Sequence, residues 1–103
     1  MNCKTNGVVY RISCNKCPDF VYIGETSRSL KQRFSEHFGD ATRKDQSKPC
    51  GVHFSLKGHS EANMSMISIE QVLPKNDTLL RKTREGYWIN LYQSVQFGAN
   101  SRP

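Results

Sequence analysis

The sequence predicts a small α+β domain, a three-stranded antiparallel sheet flanked by helices. Three observations support this prediction: two β-rich runs separated by a turn-forming segment, a third apolar run, and helical periodicity on both sides of that run. The order of these elements, ββααβα, favours a sheet with helices packed on it. Residues 1–103 are interpreted as a single domain, because 103 residues is about the length of one domain.

The first two strands are predicted to form a hairpin. Residues 8–14 are β-branched and roughly alternating, and residues 20–24 are a second β-rich run. The intervening segment, 15–19, is rich in turn-forming residues. A third strand, within the apolar stretch 64–73, is expected to pair with this hairpin and to end at Pro74.

The first helix is predicted over residues 29–38. Its apolar residues recur at i, i+4 and i+8: Leu30, Phe34 and Phe38. Ser27 or Ser29 is available as an N-cap, and Gly39 follows the last apolar position. Residues 40–48 are polar without periodicity and are interpreted as a surface loop.

Two further helices are predicted downstream. One begins near Pro49, which the first turn of a helix tolerates, and runs to Gly58. The other is capped by residues 76–78 and runs to about Tyr92. Its apolar side is expected to comprise Leu80, Tyr87, Trp88 and Leu91.

The composition favours an anionic partner. Fifteen Lys and Arg residues oppose nine Asp and Glu residues, which gives a formal net charge of +6, and such a balance is typical of nucleic-acid-binding domains. The basic residues fall mainly in the first half: Arg11, Lys16, Arg28, Lys31, Arg33, Arg43, Lys44 and Lys48. Since no apolar run approaches the roughly 18 residues of a membrane helix and no signal-peptide pattern is present, we expect an intracellular protein without membrane contact.

Cysteine and histidine residues form a candidate zinc site. Cys14 and Cys17 are spaced as CxxC, and His53 and His59 are six residues apart. Two thiolates and two imidazoles suit tetrahedral Zn²⁺, which would stabilise a domain whose core is thin. Cys50 is an alternative fourth ligand in place of His59. The alternative without a metal is a solvent-facing cysteine pair and two histidines that are unrelated to it.

The hairpin resembles the paired motif of the GIY-YIG nucleases. Tyr22-Ile23-Gly24 matches the second half of that motif letter for letter, and Val8-Val9-Tyr10 corresponds to the first half. The first half departs from the family pattern, because Gly7 stands one residue earlier than the family glycine. Within the first half of the motif, only Tyr10 is therefore assigned to a position of the family pattern.

The resemblance continues downstream in the same order. Arg33 falls where the family has its helix arginine, with one extra residue after Gly24 compared with many members, and His37 lies one turn further on. Residues 84–89, with Glu85, resemble the segment whose glutamate holds the metal, and residues 98–100, with Asn100, resemble the terminal asparagine segment.

The resemblance implies a GIY-YIG-like α/β sandwich and a metal-dependent endonuclease that hydrolyses DNA phosphodiesters, nicking one strand at each active site. Glu85 would bind Mg²⁺ or Mn²⁺, Arg33 the scissile phosphate, and Tyr10 and Tyr22 the attacking water, with His37 and Asn100 completing the site. A free phenol titrates near pH 10, so Tyr10 as a base requires a neighbouring cation that lowers its pKa.

The CxxC and histidine set is also similar to that of the GIY-YIG type found in Penelope-like retroelements. This similarity implies a mobile-element origin, a fused or associated reverse transcriptase, and a nuclear location in a eukaryotic host. Two other classes stay open: a zinc-stabilised, catalytically inactive nucleic-acid-binding module and a protein-interaction domain. The sequence leaves the oligomeric state open.

Overall fold

The computed structural model describes residues 2–92. Within this range the three strands are β1 (Asn6–Cys14), β2 (Cys17–Ser29) and β3 (Met64–Gln71). They form one antiparallel sheet in the order β2-β1-β3, with β1 in the centre. The predicted fold class, a small three-stranded antiparallel sheet flanked by helices, is confirmed.

Three helices accompany the sheet in the described range. Helix α1 (Leu30–Thr42) follows β2 directly, a short helix α2 (Pro49–His53) comes next, and α3 (Thr78–Tyr92) follows β3. A single 3₁₀ turn, Glu61–Asn63, leads into β3. No helix in the described part of the chain is long and apolar enough to cross a bilayer.

The strands alternate between two apolar clusters, one on each face of the sheet. Val8, Tyr10 and Ile12 point to the larger cluster, which α1 and α2 cover. Val9 and Ile23 point to the smaller cluster, which α3 covers through Ile89. Because side chains alternate along a strand, β1 alone supplies the centre of both clusters.

The β1–β2 turn is shorter than predicted, and β2 is longer. Cys14 pairs directly with Cys17, so the turn consists of Asn15 and Lys16, and the predicted turn residues 17–19 belong to β2. At its other end β2 continues to Ser29. The Ser29 side chain accepts a hydrogen bond from the Gln32 backbone N–H and so caps α1.

Two helix boundaries differ from the prediction. Helix α1 continues through Gly39 and ends at Thr42, so the loop begins three residues later than predicted. Because Ala41 is buried, packing of this last turn outweighs the low helix propensity of glycine. Helix α2 ends at His53 instead of running to Gly58, whose positive φ of 80° is not helical.

The predicted apolar side of α3 is wrong at three of its four residues: Trp88 packs against the smaller cluster, but Leu80, Tyr87 and Leu91 are exposed. Asp77 caps the helix as expected by accepting from the Leu80 N–H. Arg81 is buried instead, since its Nε donates to Glu25 Oε2 at 2.7 Å and its other nitrogens bond the Lys75 carbonyl and the Thr78 hydroxyl. This buried ion pair fixes the rotation of α3 about its axis.

Candidate active site

Tyr10 and Tyr22 lie side by side on the sheet face that α1 covers. Tyr10 is on the central strand opposite Gly24, and Tyr22 is on β2 opposite Ile12. Tyr10 is almost fully buried in the larger cluster, and Tyr22 packs against that cluster at its half-exposed margin. The register of the hairpin thus places the two phenols next to each other.

Gly24 makes room for the Tyr10 ring. A Cβ atom at position 24 would lie 2.3 Å from Tyr10 Oη and 2.4 Å from Cζ. Any other residue would displace the ring, because protein interiors have no spare volume at such a contact. The glycine of the Tyr22-Ile23-Gly24 motif is therefore explained by packing against a tyrosine on the neighbouring strand.

Helix α1 brings Arg33 and His37 onto the Tyr10 hydroxyl. His37 Nε2 lies 2.8 Å from Tyr10 Oη, and Arg33 Nε donates to the same oxygen at 3.1 Å. The two residues are one turn apart on the helix, so both face the sheet. The His37 ring also packs against Tyr22, with ring centroids 5.5 Å apart. These four predicted site residues form one cluster.

Burial dominates the titration of this cluster. It raises the pKa of Tyr10 above its usual range, although the Arg33 charge acts in the opposite direction. Burial, together with the Arg33 charge, lowers the pKa of His37 to about 4. Neither of the two protein groups thus supplies the cation that Tyr10 would require as a base, because His37 is neutral near pH 7 and Arg33 does not outweigh desolvation; a bound metal ion is the remaining candidate.

Glu36 is a member of the cluster that the sequence analysis missed. Its carboxylate lies 2.6 Å from Arg33 Nη1 and 2.5 Å from Arg28 Nη2. Glu36 therefore orients the Arg33 guanidinium from the side opposite Tyr10. The spacing of Arg33 and Glu36 on one helix was a usable signal, whereas the contribution of Arg28 depends on the long β2 strand.

Glu85 lies on helix α3, which covers the opposite face of the sheet. It is half-buried, and its charge raises the pKa of both Tyr10 and Tyr22, which places it within electrostatic range of the two phenols. Burial raises the pKa of Glu85 itself; Lys82 opposes this effect and Glu25 adds to it. The negative charge of Glu85 is thus only partly balanced by nearby cations. A divalent cation would stabilise such a carboxylate, and Mg²⁺ commonly uses one or two carboxylates plus waters. The residue therefore fits a metal anchor.

Asn100, the last predicted site residue, lies outside the described residues. The structure assigns it no position relative to Tyr10 and Tyr22.

A second cluster lies at the hairpin turn. Its members are Cys14, Cys17, His53 and His59, whose candidate ligand atoms all lie within 4.8 Å of one another. Cys17 Sγ and His59 Nε2 are 3.1 Å apart, while His53 Nε2 is buried and has no hydrogen-bond partner within residues 2–92. A tetrahedral zinc site separates its ligand atoms by about 3.3–3.8 Å, so small shifts, with Cys17 and His59 moving slightly apart and the wider pairs moving closer, would bring the group to that geometry.

Cys50 is not part of this second cluster. The alternative in which it replaces His59 is wrong, because Cys50 is fully buried beside the tyrosines, with Sγ 3.6 Å from His37 Nδ1. No local pattern could have indicated this contact: thirteen residues separate the two side chains, and packing of α2 on α1 brings them together.

Comparison with known proteins bears on the family and the fold. Residues 6–100 match the GIY-YIG catalytic domain. The chain is 31% identical over 81 residues to the uncharacterized protein 019R of Invertebrate iridescent virus 6; this match covers 79% of the chain and 28% of the viral protein. The fold is similar to the catalytic domain of the homing endonuclease I-TevI, with a TM-score of 0.76, 21% identity, and coverage of 93% of this chain and 98% of that one.

These findings define the class of protein, by its fold, as a nuclease domain. The chain belongs to the GIY-YIG catalytic domain family. Membership implies a nuclease domain. The resemblance noted in the sequence is confirmed at the level of the family, while the Penelope-like type stays a prediction.

Proposed function

We propose that this domain is a metal-dependent DNA endonuclease that hydrolyses phosphodiester bonds and nicks one strand at each active site. The observation that supports it most directly is the Tyr10 hydroxyl, which is hydrogen-bonded to both His37 and Arg33. The net charge of +6 suits a polyanionic substrate. The similarity of the fold to the catalytic domain of a homing endonuclease supports DNA as that substrate.

The protonation states suggest how water is activated. The raised pKa of Tyr10 means that a standing phenolate is scarce at neutral pH. Neutral His37, however, has a lone pair that accepts the phenolic proton. Tyr10 Oη then takes a proton from the attacking water as its own proton passes to His37 Nε2. Tyr10 acts as a relay, and His37, a weak base with a pKa of about 4, holds the proton only transiently.

Charge stabilisation is assigned to Arg33 and Glu85. The Arg33 guanidinium stays protonated, and with Nε on Tyr10 and Nη1 on Glu36 its remaining N–H groups can donate to a phosphate oxygen. Glu85 would hold Mg²⁺ or Mn²⁺, which neutralises charge on the phosphate and the leaving oxygen. Tyr22, packed on His37, completes the wall on which the water is positioned.

The second cluster is assigned a structural Zn²⁺ held by Cys14, Cys17, His53 and His59. The unpartnered, buried Nε2 of His53 supports this assignment, because such an atom is costly unless it binds something. Zinc there would tie the hairpin turn to the segment that follows α2. The mobile-element origin, the single-domain organisation, the reverse transcriptase partner and the nuclear location stay predictions.

Plasmid nicking tests the function. Supercoiled DNA is incubated with the wild type, Arg33→Ala and Glu85→Gln, with Mg²⁺ or with EDTA. The wild type should produce open circles only with metal, and each variant should be slower by about 10²-fold or more, the usual effect of removing a group that stabilises a transition state. Lys4→Ala, at an exposed lysine ahead of β1, and Glu61→Gln, outside the site, are controls that should retain activity.

The alternative function gives a different pattern. A catalytically inactive nucleic-acid-binding module would shift DNA with a steep salt dependence and without Mg²⁺, and it would not nick. A folded wild type that binds DNA but leaves the plasmid supercoiled would overturn the nuclease proposal in favour of that module.

A further inference from the structure

Cys50 contacts the proposed proton acceptor on the side away from Tyr10. Its Sγ lies 3.6 Å from His37 Nδ1, while the other ring nitrogen of His37 lies 2.8 Å from Tyr10 Oη. Helix α2, which presents Cys50, is tightly seated: a Cβ at Gly51 would lie 2.0 Å from the Asp45 carbonyl oxygen. The thiol is thus held against the imidazole by a fixed backbone.

The hydrogen bonds of this cluster depend on where the single proton of neutral His37 resides. Arg33 Nε can only donate to Tyr10 Oη, so the phenol needs a separate acceptor for its own O–H. If the proton is on Nδ1, then Nε2 accepts from Tyr10 and Nδ1–H donates to Cys50 Sγ. If it is on Nε2, the Tyr10 oxygen receives two donors and its own proton loses the nearest acceptor.

The two arrangements also differ in what they cost. A phenolic O–H is a strong donor that is expensive to bury unpaired, whereas a thiol S–H is a weak one. Burial raises the pKa of Cys50 to about 12, so the group is a neutral thiol whose sulfur is available as an acceptor. The form protonated on Nδ1 satisfies every strong donor in the cluster.

We propose that Cys50 is a positioning residue that holds His37 in the tautomer protonated on Nδ1 and so keeps Nε2 free to accept the proton of Tyr10. The proposal rests on the proposed nuclease function, which gives that proton transfer its purpose. A histidine that moves protons is commonly oriented by a hydrogen bond to its other ring nitrogen. Here a buried thiol takes the place of the usual carboxylate or carbonyl.

The competing interpretation is that Cys50 is a small apolar residue in the core. A pair of substitutions separates the two interpretations. Cys50→Ala removes the acceptor, and Cys50→Ser restores an oxygen acceptor at nearly the same position while making the side chain less apolar. If only packing matters, alanine should be tolerated at least as well as serine. If the sulfur positions His37, serine should be better than alanine.

The test combines a tautomer measurement with kinetics. Protein labelled with ¹⁵N-histidine is examined at neutral pH by long-range ¹H–¹⁵N correlation, which distinguishes the two neutral forms of imidazole. The chain has three histidines, and the signals lost in His37→Gln identify those of His37. Plasmid nicking gives kcat and KM for the same proteins. Cys3→Ser, at an exposed cysteine, is the control.

We expect wild type, Cys3→Ser and Cys50→Ser to be protonated on Nδ1. Cys50→Ala should shift toward the Nε2 form, with kcat lower by about tenfold, KM unchanged and activity recovered by serine. A wild type protonated on Nε2, or an unchanged tautomer in Cys50→Ala, would overturn the proposal without any activity measurement. The expected tautomers in a protein that does not nick DNA would overturn the nuclease function and support the positioning role of Cys50.

Discussion

Two groups of polar side chains lie on the same face of β1, yet in only one of them does the described part of the protein satisfy the buried polar atoms by itself. They are the tyrosine cluster (Tyr10, Tyr22, Arg33 and His37) and the Cys/His cluster (Cys14, Cys17, His53 and His59). Tyr10 and Cys14 both point from β1 into the larger apolar cluster. Around Tyr10 the hydrogen bonds to Arg33 and His37 are formed by the protein alone, whereas next to Cys14 a buried nitrogen of His53 has no partner in the described residues. One end is preorganised by protein groups, and we propose that an ion completes the other.

The largest expected effect is loss of the proposed zinc. EDTA, or the substitution Cys17→Ser, should lower the free energy of unfolding by about 4 kcal/mol, the stabilisation from a ligand present at a thousand times its dissociation constant. Thermal melts and elemental analysis for zinc measure this. Cys3→Ser is the matched control, since that cysteine is exposed and outside the cluster.

One result would contradict the zinc prediction. A wild type that contains no zinc and melts at the same temperature with and without EDTA would show that the Cys/His cluster is stable as it stands. The contrast between the two ends of β1 would then disappear.

A smaller effect on the free energy of unfolding is expected from the packing of Gly24 against Tyr10, and this effect should not depend on metal. Gly24→Ala should cost about 3 kcal/mol, the upper range for overpacking, because the new methyl group collides with Tyr10. Gly86→Ala is the control: the space around that helical glycine is open, so alanine should stabilise by about 1 kcal/mol. Urea unfolding of both variants, with and without EDTA, checks the prediction. Equal stability of the two variants would contradict the packing assigned to Gly24.

The smallest effect is a dependence of stability on pH that arises from His37. Its pKa is about 4 in the folded state against about 6.5 when unfolded, so the unfolded state binds more protons below pH 6.5 and stability falls as the pH falls. Between pH 8 and pH 5 the loss should be about 2 kcal/mol. Urea unfolding at both pH values, compared with His37→Gln, isolates this contribution, since the lowered pKa of His53 acts in both proteins. The same pH dependence in both proteins would contradict a buried neutral His37.

The parts of the fold that local sequence could specify were predicted well. The β-branched runs, the capping residues of α3 and the apolar spacing of α1 are local signals, and they placed every strand and helix in order. The ends of β2, α1 and α2 were misplaced because tertiary contacts decide them. The apolar face of α3 was misassigned because burial of Arg81 depends on Glu25, 56 residues away.

The candidate site divides in the same way. Tyr10, Tyr22, Arg33 and His37 were found through a motif whose spacing survives in the sequence, and the structure brings them together. The contact of Cys50 with His37 follows from the seating of α2 on α1, which no local pattern encodes. The direction of the Tyr10 pKa shift depends on the balance between burial and the Arg33 charge, and burial is a property of the folded chain.

The direct junction of β2 and α1 at Ser29 restricts how the chain can change length. One residue serves as the end of the strand and the cap of the helix, so no loop separates Tyr22 from Arg33. A residue inserted after the cap would turn Arg33 by about 100° around the helix axis, away from Tyr10. We therefore expect sequence changes in this segment to lengthen or shorten β2 on the strand side of Ser29 and to leave the five residues from Ser29 to Arg33 at constant spacing.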